Sequence, residues 1–528
     1  MTADRCRGRL RVTMVTEGTY PFSFGGVANW CDLLVRELDE VQFDVVAIVG
    51  DADLQESYRP PANVVRVERV PLWGIREALE CQRDLSFAAL RRRRSATTEA
   101  LLETRFVPHL EVFLRQLYLG GDVAELRSAF GAMCDHFRHA DLDGTFRSRA
   151  VWNAFLHAAQ ANFAESARRA GYDASPYSLA DLTDSLSLLY RWLMPLAAPR
   201  LPADLVHAVS GGLSALVGVA AKLLDGTPFL LTEHGIYLRE RYLGAIGSSE
   251  SLFVKMFSLS FMRLVTGLSY AQADVVAPGS KYNQQWERAL GAPQGRLQTI
   301  YNGVDPGSFS PEPKPEGTPP TVVSLGRITP IKDILTLLRA AALVKRRRPD
   351  VVFRVYGKAP AGDEGYFEDC LALVRELRLE NEVSFAGHAP SVQAAYRDAD
   401  VVVLSSISEG FPYSIVEALL CGRPVVASAV GGVSEAIDGC GIAVEPRNPA
   451  ELAEAIVALM NDPERRAALG LQARARAARE FNLAQCSDGY RALYARLAAG
   501  SNESSATSSE PDARSPQKSH PSAASRRV

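Results

Sequence analysis

Cysteine is scarce here and never organised. The eight cysteines among 528 residues form no C-x-x-C pair and have no histidine spacing that would suggest zinc. They read as reduced thiols, the usage of a cytosolic protein rather than of a disulfide scaffold. An excess of one charge is also missing. A formal net charge of −3 gives no electrostatic footprint for nucleic acid, and no such partner is expected. Long hydrophobic runs are lacking too. Stretches such as Leu213 to Leu224 contain a lysine and fall short of the roughly 20 residues that span a bilayer. The N-terminus is charged and runs straight into a strand-like segment, so no secretory leader is expected. These absences point to a soluble, cytoplasmic chain that sits on a membrane only through a partner. The length allows two or three domains with real cores.

What is present is concentrated in residues 401–432. Val401 to Leu404 is an apolar run that reads as a buried strand. A polar turn, Ser405 to Gly410, follows. Pro412 suits the first residue of a helix, where the missing N–H is no loss, and Gly422 stops that helix after Cys421. Pro424 to Ser428 is the next strand. Backbone amides at Ser414 and Ile415, helped by the helix dipole, make an anion site at the helix tip. Glu409 and Glu417 flank it with seven residues between them. A carboxylate is a good acceptor for pairs of sugar hydroxyls. A plain early-helix acid at Glu417, favoured by the dipole, fits the same spacing.

The segment E-G-F-P-x-x-x-x-E resembles the E-x7-E motif of retaining glycosyltransferases of the GT4 class. The resemblance implies an α/β chain with the GT-B fold, two Rossmann-like domains facing a cleft. It implies that Glu409 lies beside the transferred sugar and that Glu417 holds the ribose of a nucleotide donor.

In chain order, Leu10 to Thr16 reads as the first strand, followed by a glycine-containing loop and a helix from Val27 to Leu38. Phe43 to Val49 is the second strand. This β–loop–α–β start places Gly25 and Gly26 at the C-terminal edge of a parallel sheet, where such sheets bind ligands. There they let a backbone approach a diphosphate closely, or they simply make a tight turn. The stretch T-E-G-T-Y-P-F-S-F-G-G-V-A-N-W resembles GT4 openings, and more narrowly those of the PelF type, bacterial glycosyltransferases of Pel exopolysaccharide synthesis. From about 85 to 200 the pattern becomes helical, an insertion that also resembles the PelF type. Its four-arginine run, Arg91 to Arg94, reads first as a solvated helix face. Strands return at Asp204 to Val209, Pro228 to Thr232 and Asp274 to Pro278. His234 follows the second of these, in T-E-H-G, which resembles the family's T-x-H motif and implies contact with the transferred sugar. His207 is a weaker candidate because it lies within its strand. Arg239 and Arg241, in H-G-I-Y-L-R-E-R, are read as exposed or as facing acceptor or phosphate.

Residues 1–305 are thus expected to form the acceptor-side domain and 306–320, rich in proline, a linker. Residues 321–480 should form the nucleotide-sugar domain, 481–500 a terminal helix crossing back, and 501–528 a disordered tail. In the second domain Arg327 and Lys332 flank a loop after the strand Thr321 to Arg327. Two cations there balance a diphosphate, and G-R-x-x-x-x-K resembles the family's donor-diphosphate pair. Gly387 and His388 stand where the resemblance places the base of the donor. Two D-x-D pairs, Asp51/Asp53 and Asp398/Asp400, spell the metal motif of another glycosyltransferase fold. The cations already do a metal's work, so neither metal nor other cofactor is expected. The resemblance implies a UDP-sugar donor, UDP-glucose foremost. It also implies a saccharide or polysaccharide acceptor and a membrane-embedded exopolysaccharide synthase as partner. A donor-binding scaffold subunit and another GT-B enzyme, such as an epimerase, remain alternatives.

Overall fold

The computed structural model describes residues 9–74, 85–173, 176–360 and 362–507. Two six-stranded sheets organise them. The first holds β1 (Arg11–Glu17), β2 (Gln42–Asp51), β3 (Val64–Trp73), β4 (Leu205–Ala208), β5 (Phe229–Glu233) and β6 (Val275–Pro278). The second holds β7 (Thr321–Leu325), β8 (Val352–Tyr356), β9 (Val383–Gly387), β10 (Val401–Leu404), β11 (Val425–Ser428) and β12 (Gly441–Val444). Every pairing is parallel. Helices cover both faces of such sheets, so the inner strands are short and almost wholly apolar. β10 and β11, for example, are buried at every position.

The strand orders are β3-β2-β1-β4-β5-β6 and β12-β11-β10-β7-β8-β9. Each reverses direction once, between β1 and β4 and between β7 and β10. A crevice opens at such a reversal, outside the carboxyl ends of the strands. Two strands were not legible in the sequence. β3 is an edge strand, half exposed, so it carries charges like a loop and tolerates Pro71. β12 is the edge of the other sheet, opens on a glycine and buries only Val444.

Among the described residues, seven helices lie between β3 and β4, from Phe87–Ala96 to Leu179–Leu193. They share one core with the sheet: Phe106, Phe113, Phe130 and Phe137 join Val15 of β1 and Phe257 and Phe261 of the helix Leu252–Gln272. That 21-residue helix is long and apolar enough to cross a bilayer, which corrects the expectation that every apolar stretch falls short. Its apolar length reflects packing, since Phe253, Phe257, Phe261 and Val265 are all buried in the first core.

The last helix, Leu483–Thr507, returns to the first domain. Cys486, Tyr490, Leu493 and Tyr494 enter the core that contains Trp30 and Leu230. Residues 501–507, expected to open the tail, continue this helix, and no proline or glycine among them stops it. The rest of the expected tail lies outside the described residues. The 306–320 segment lies along the second domain, where Lys314 pairs with Asp400 and Arg423 donates to the Glu312 carbonyl.

Candidate active site

The second sheet's reversal brings the loops after β7 and β10 together. Gly326 and Arg327 follow β7 under tight backbone contact. A Cβ on Gly357, at φ +138°, would fall 1.8 Å from the Gly326 carbonyl oxygen, so only glycine serves there. Arg327 is exposed, and no hydrogen bond or ion pair holds its guanidinium among the described residues. Lys332 closes a short 3-10 turn, Pro330–Lys332. Asp333 then caps the next helix, its carboxylate accepting from the Thr336 hydroxyl at 2.7 Å. The Lys332 ammonium pairs with Glu409, and the Ser406 hydroxyl donates to the same Glu409 oxygen at 2.6 Å. Ile407 N–H bonds the Ile331 carbonyl at 2.9 Å, joining the two loops through the backbone.

The Glu409 loop is pressed against the first domain. A Cβ on Gly410 would lie 1.7 Å from the His234 carbonyl oxygen. One on Gly431, at φ +57°, would lie 1.7 Å from the Glu409 carbonyl oxygen. Glu409 and His234, distant in sequence, are therefore neighbours through glycine backbone. The His234 ring packs edge-on to Trp30 at 4.6 Å, and its Nε2 is buried without a partner among the described residues. Burial pulls the imidazole down to about 4, against an opposing hydrogen bond to Asn302, so it is neutral at pH 7. His207 is structural: buried, it lies between the Tyr494 hydroxyl at 2.7 Å and the Thr232 hydroxyl at 2.8 Å.

The helix after the Glu409 loop is Tyr413–Leu420, with Pro412 as its N-cap. No side chain caps it, so the Ser414 amide keeps its place at the tip. Ile415 is corrected as an amide donor: its N–H already bonds the Pro412 carbonyl at 3.2 Å, and its side chain is core. Gly25 and Gly26 come close to this tip, a Cβ on Gly26 lying 3.8 Å from the Tyr413 ring. Gly25 is extended, with φ 167°, so it is no tight turn. Glu417, one turn on, lies 3.0 Å from the Tyr396 hydroxyl, and burial pushes its carboxyl up to about 7. Gly387, at φ +67°, ends β9, and His388 beyond it is exposed on the same sheet edge but at the sheet's far strand.

Neither D-x-D pair is arranged for a cation. Asp51 accepts from the Asp53 amide at 3.0 Å. Asp398 pairs with Arg354 at 3.3 Å, and Asp400 accepts from the Thr321 amide at 2.8 Å.

Several contacts were missed in the sequence. Glu17, at the end of β1, accepts from the Leu213 amide at 2.8 Å and the Tyr237 hydroxyl at 2.6 Å. Glu435 reaches from the second domain to cap the helix Lys281–Ala289, accepting from the Lys281 amide at 2.9 Å. Arg239 donates across the cleft to the Ser408 hydroxyl, and Arg241 turns to Tyr237 at 2.5 Å and Glu17 at 3.5 Å. Between these arginines stands Glu240. The run R-E-R is the local sequence signal for it.

Residues 10–295 match the family described as a domain of unknown function, DUF3492, and 308–476 match the family glycosyl transferases group 1. The chain belongs to the DUF3492 family, here joined to a group 1 glycosyltransferase domain. Among curated relatives, a D-inositol 3-phosphate glycosyltransferase of Pseudarthrobacter chlorophenolicus is 31% identical over 52% of this chain and 66% of its own length. Another, from Catenulispora acidiphila, is 32% identical over 52% of this chain and 67% of its own. The chain thus spans about two thirds of these relatives. The solved structure of Anabaena HepE with UDP and glucose superposes with a TM-score of 0.56 at 17% identity, over 91% of this chain and 99% of that one. Sucrose-phosphate synthase from Thermosynechococcus elongatus gives 0.59 at 19%, over 93% and 100%. At these identities the likeness is one of fold, and this DUF3492 member has the GT-B fold.

Proposed function

We propose that this protein transfers a hexose, with retention, from a UDP-sugar to a saccharide hydroxyl. UDP-glucose is the first donor to test. The acceptor is a growing exopolysaccharide of the Pel kind, extended beside a membrane-embedded synthase. One observation carries the reading. Unpaired Arg327, the Lys332–Glu409 pair and the tip of Tyr413–Leu420 meet at the reversal of the second sheet and face His234 of the first. This is an anion site beside a carboxylate.

An arriving diphosphate competes for Lys332. Arg327, Lys332, the Ser414 amide and the Gly25–Gly26 backbone then carry the charge that develops on the departing UDP. Glu409, released from Lys332, takes sugar hydroxyls. Neutral His234 sits beside the sugar without adding a charge that would oppose an oxocarbenium-like centre. Glu417 takes the ribose diol, and Gly387 and His388 the base. That HepE was solved with UDP and glucose supports a UDP-sugar at the cleft of this fold.

The test is UDP release from a panel of UDP-sugars with EDTA present, comparing wild type with Lys332→Ala. One sugar should be turned over despite EDTA, and the variant should lose about 10²–10³-fold, the usual loss when one such donor is removed. Release that returns only with added metal sinks the metal-free mechanism. Failure to bind any UDP-sugar sinks the reading itself.

A further inference from the structure

The transfer reading leaves the acceptor's proton without a home, and Glu240 answers it. The helix Tyr237–Ile246 stands over the cleft with Leu238 as its one buried residue. On it, the two arginines that bracket Glu240 are both engaged elsewhere. Arg239 crosses to Ser408, and Arg241 turns back to Tyr237 and Glu17. The Glu240 carboxylate keeps access to solvent between protein walls and makes no hydrogen bond or ion pair among the described residues.

The position of this carboxylate is well defined. A Cβ on Gly235 would lie 2.2 Å from Glu240 Oε1, so the carboxylate occupies the space that a side chain after His234 would fill. A Cβ on Gly410 would in turn lie 3.4 Å from Gly235 Cα. Glu240, Gly235, Gly410 and Glu409 therefore follow one another across the domain boundary. The groups that act electrostatically on Glu240 come from every neighbouring element: Arg327 after β7, Glu409 after β10, Glu233 at the end of β5, and Arg239 and Arg241 on its own helix.

We propose that Glu240 is the acceptor-side base of the transfer reaction. The acceptor O–H bond breaks and its proton goes to the Glu240 carboxylate. The acceptor oxygen bonds the anomeric carbon as the bond from that carbon to the diphosphate oxygen breaks, and that electron pair leaves with UDP. The protonated Glu240 returns its proton to solvent through the open cleft. The crowding walls, with Glu409 adding to them against Arg327, raise its carboxyl above the ordinary range, which suits a base. The inference rests on the transfer reading above.

Glu240→Gln and Glu240→Asp test it. UDP binding is measured by calorimetry. UDP release from UDP-glucose is measured with water alone and with glucose and N-acetylglucosamine oligosaccharides. The Gln variant should keep the wild-type unfolding midpoint and bind UDP within about twofold. It should lose about 10²-fold in kcat at unchanged KM for UDP-glucose, the usual scale for general-base loss. Its kcat profile should also lose the acid limb that wild type shows, and the Asp variant should recover part of the rate. A Gln variant that turns over at the wild-type rate overturns this inference alone. So does one whose UDP affinity falls in step with kcat, which would assign Glu240 to the donor. A wild type that binds no UDP, or releases none under any of these conditions, overturns the transfer reading and this inference with it.

Discussion

At Glu417 burial and the proposed ribose contact pull one carboxyl in opposite directions. Ribose hydroxyls are best accepted by the carboxylate, while burial favours the acid and raises the group to about 7 from an ordinary 4.5. The folded state then holds a proton that the unfolded chain has lost, so stability falls as pH rises between about 4.5 and 7 and levels off above. Glu417→Gln should remove that fall. Relative to wild type it should gain up to roughly 3 kcal/mol at pH 8 over pH 4.5, since one unit is worth about 1.4 kcal/mol. Urea unfolding across this range checks it, and equal slopes in both proteins would rule out the buried acid. At this scale the sequence named most of the residues that meet in the cleft, because Arg327, Lys332, Glu409 and Glu417 sit in short motifs. It did not say that Lys332 and Glu409 pair, nor that the Ile415 amide is already bonded. Those facts depend on how two loops close on each other.

At the scale of elements, glycines separate backbone crowding from ligand approach. Gly410 packs on the His234 carbonyl, where a Cβ would sit at 1.7 Å, whereas a Cβ on Gly25 meets nothing within 4 Å. Gly410→Ala must part the Glu409 loop from the end of β5 and should cost about 10²-fold in UDP-glucose turnover through misplacement alone. Gly25→Ala should leave the unfolding midpoint unchanged but weaken UDP binding, measured by calorimetry, because the added methyl stands where a phosphate would approach. Unchanged UDP affinity in Gly25→Ala would take that loop out of the donor site. Strands such as β1 and β10 were legible as apolar runs. β3 was not, since Arg66, Glu68 and Arg69 interrupt its apolar residues.

At the scale of the molecule the last helix ties the two domains together. The Tyr494 hydroxyl meets His207 Nδ1 at 2.7 Å inside the first domain's core, and the Tyr490 hydroxyl lies 3.1 Å from Thr232. Tyr494→Phe leaves His207 one partner short in a buried place. It should cost about 1–3 kcal/mol in urea unfolding, the price of an unsatisfied buried polar group. A variant as stable as wild type would show that this contact does not bind the domains. Arg239 to Ser408 and Glu435 to Lys281 are further cross-domain contacts, and neither is local in sequence.

Strand–loop–helix alternation, the glycine-bounded turns and the spacing of cations and carboxylates were all set by local sequence. Backbone propensity and apolar periodicity act over a few residues, so the α/β class and the main site motifs could be read directly. Which loops meet was decided only in three dimensions. The reversal between β7 and β10 places Lys332 on Glu409, and domain contact places Gly410 on His234. The unpaired state of Glu240 was decided there as well. Its two flanking arginines find partners in Ser408, Tyr237 and Glu17, all brought close by the fold and not by the chain.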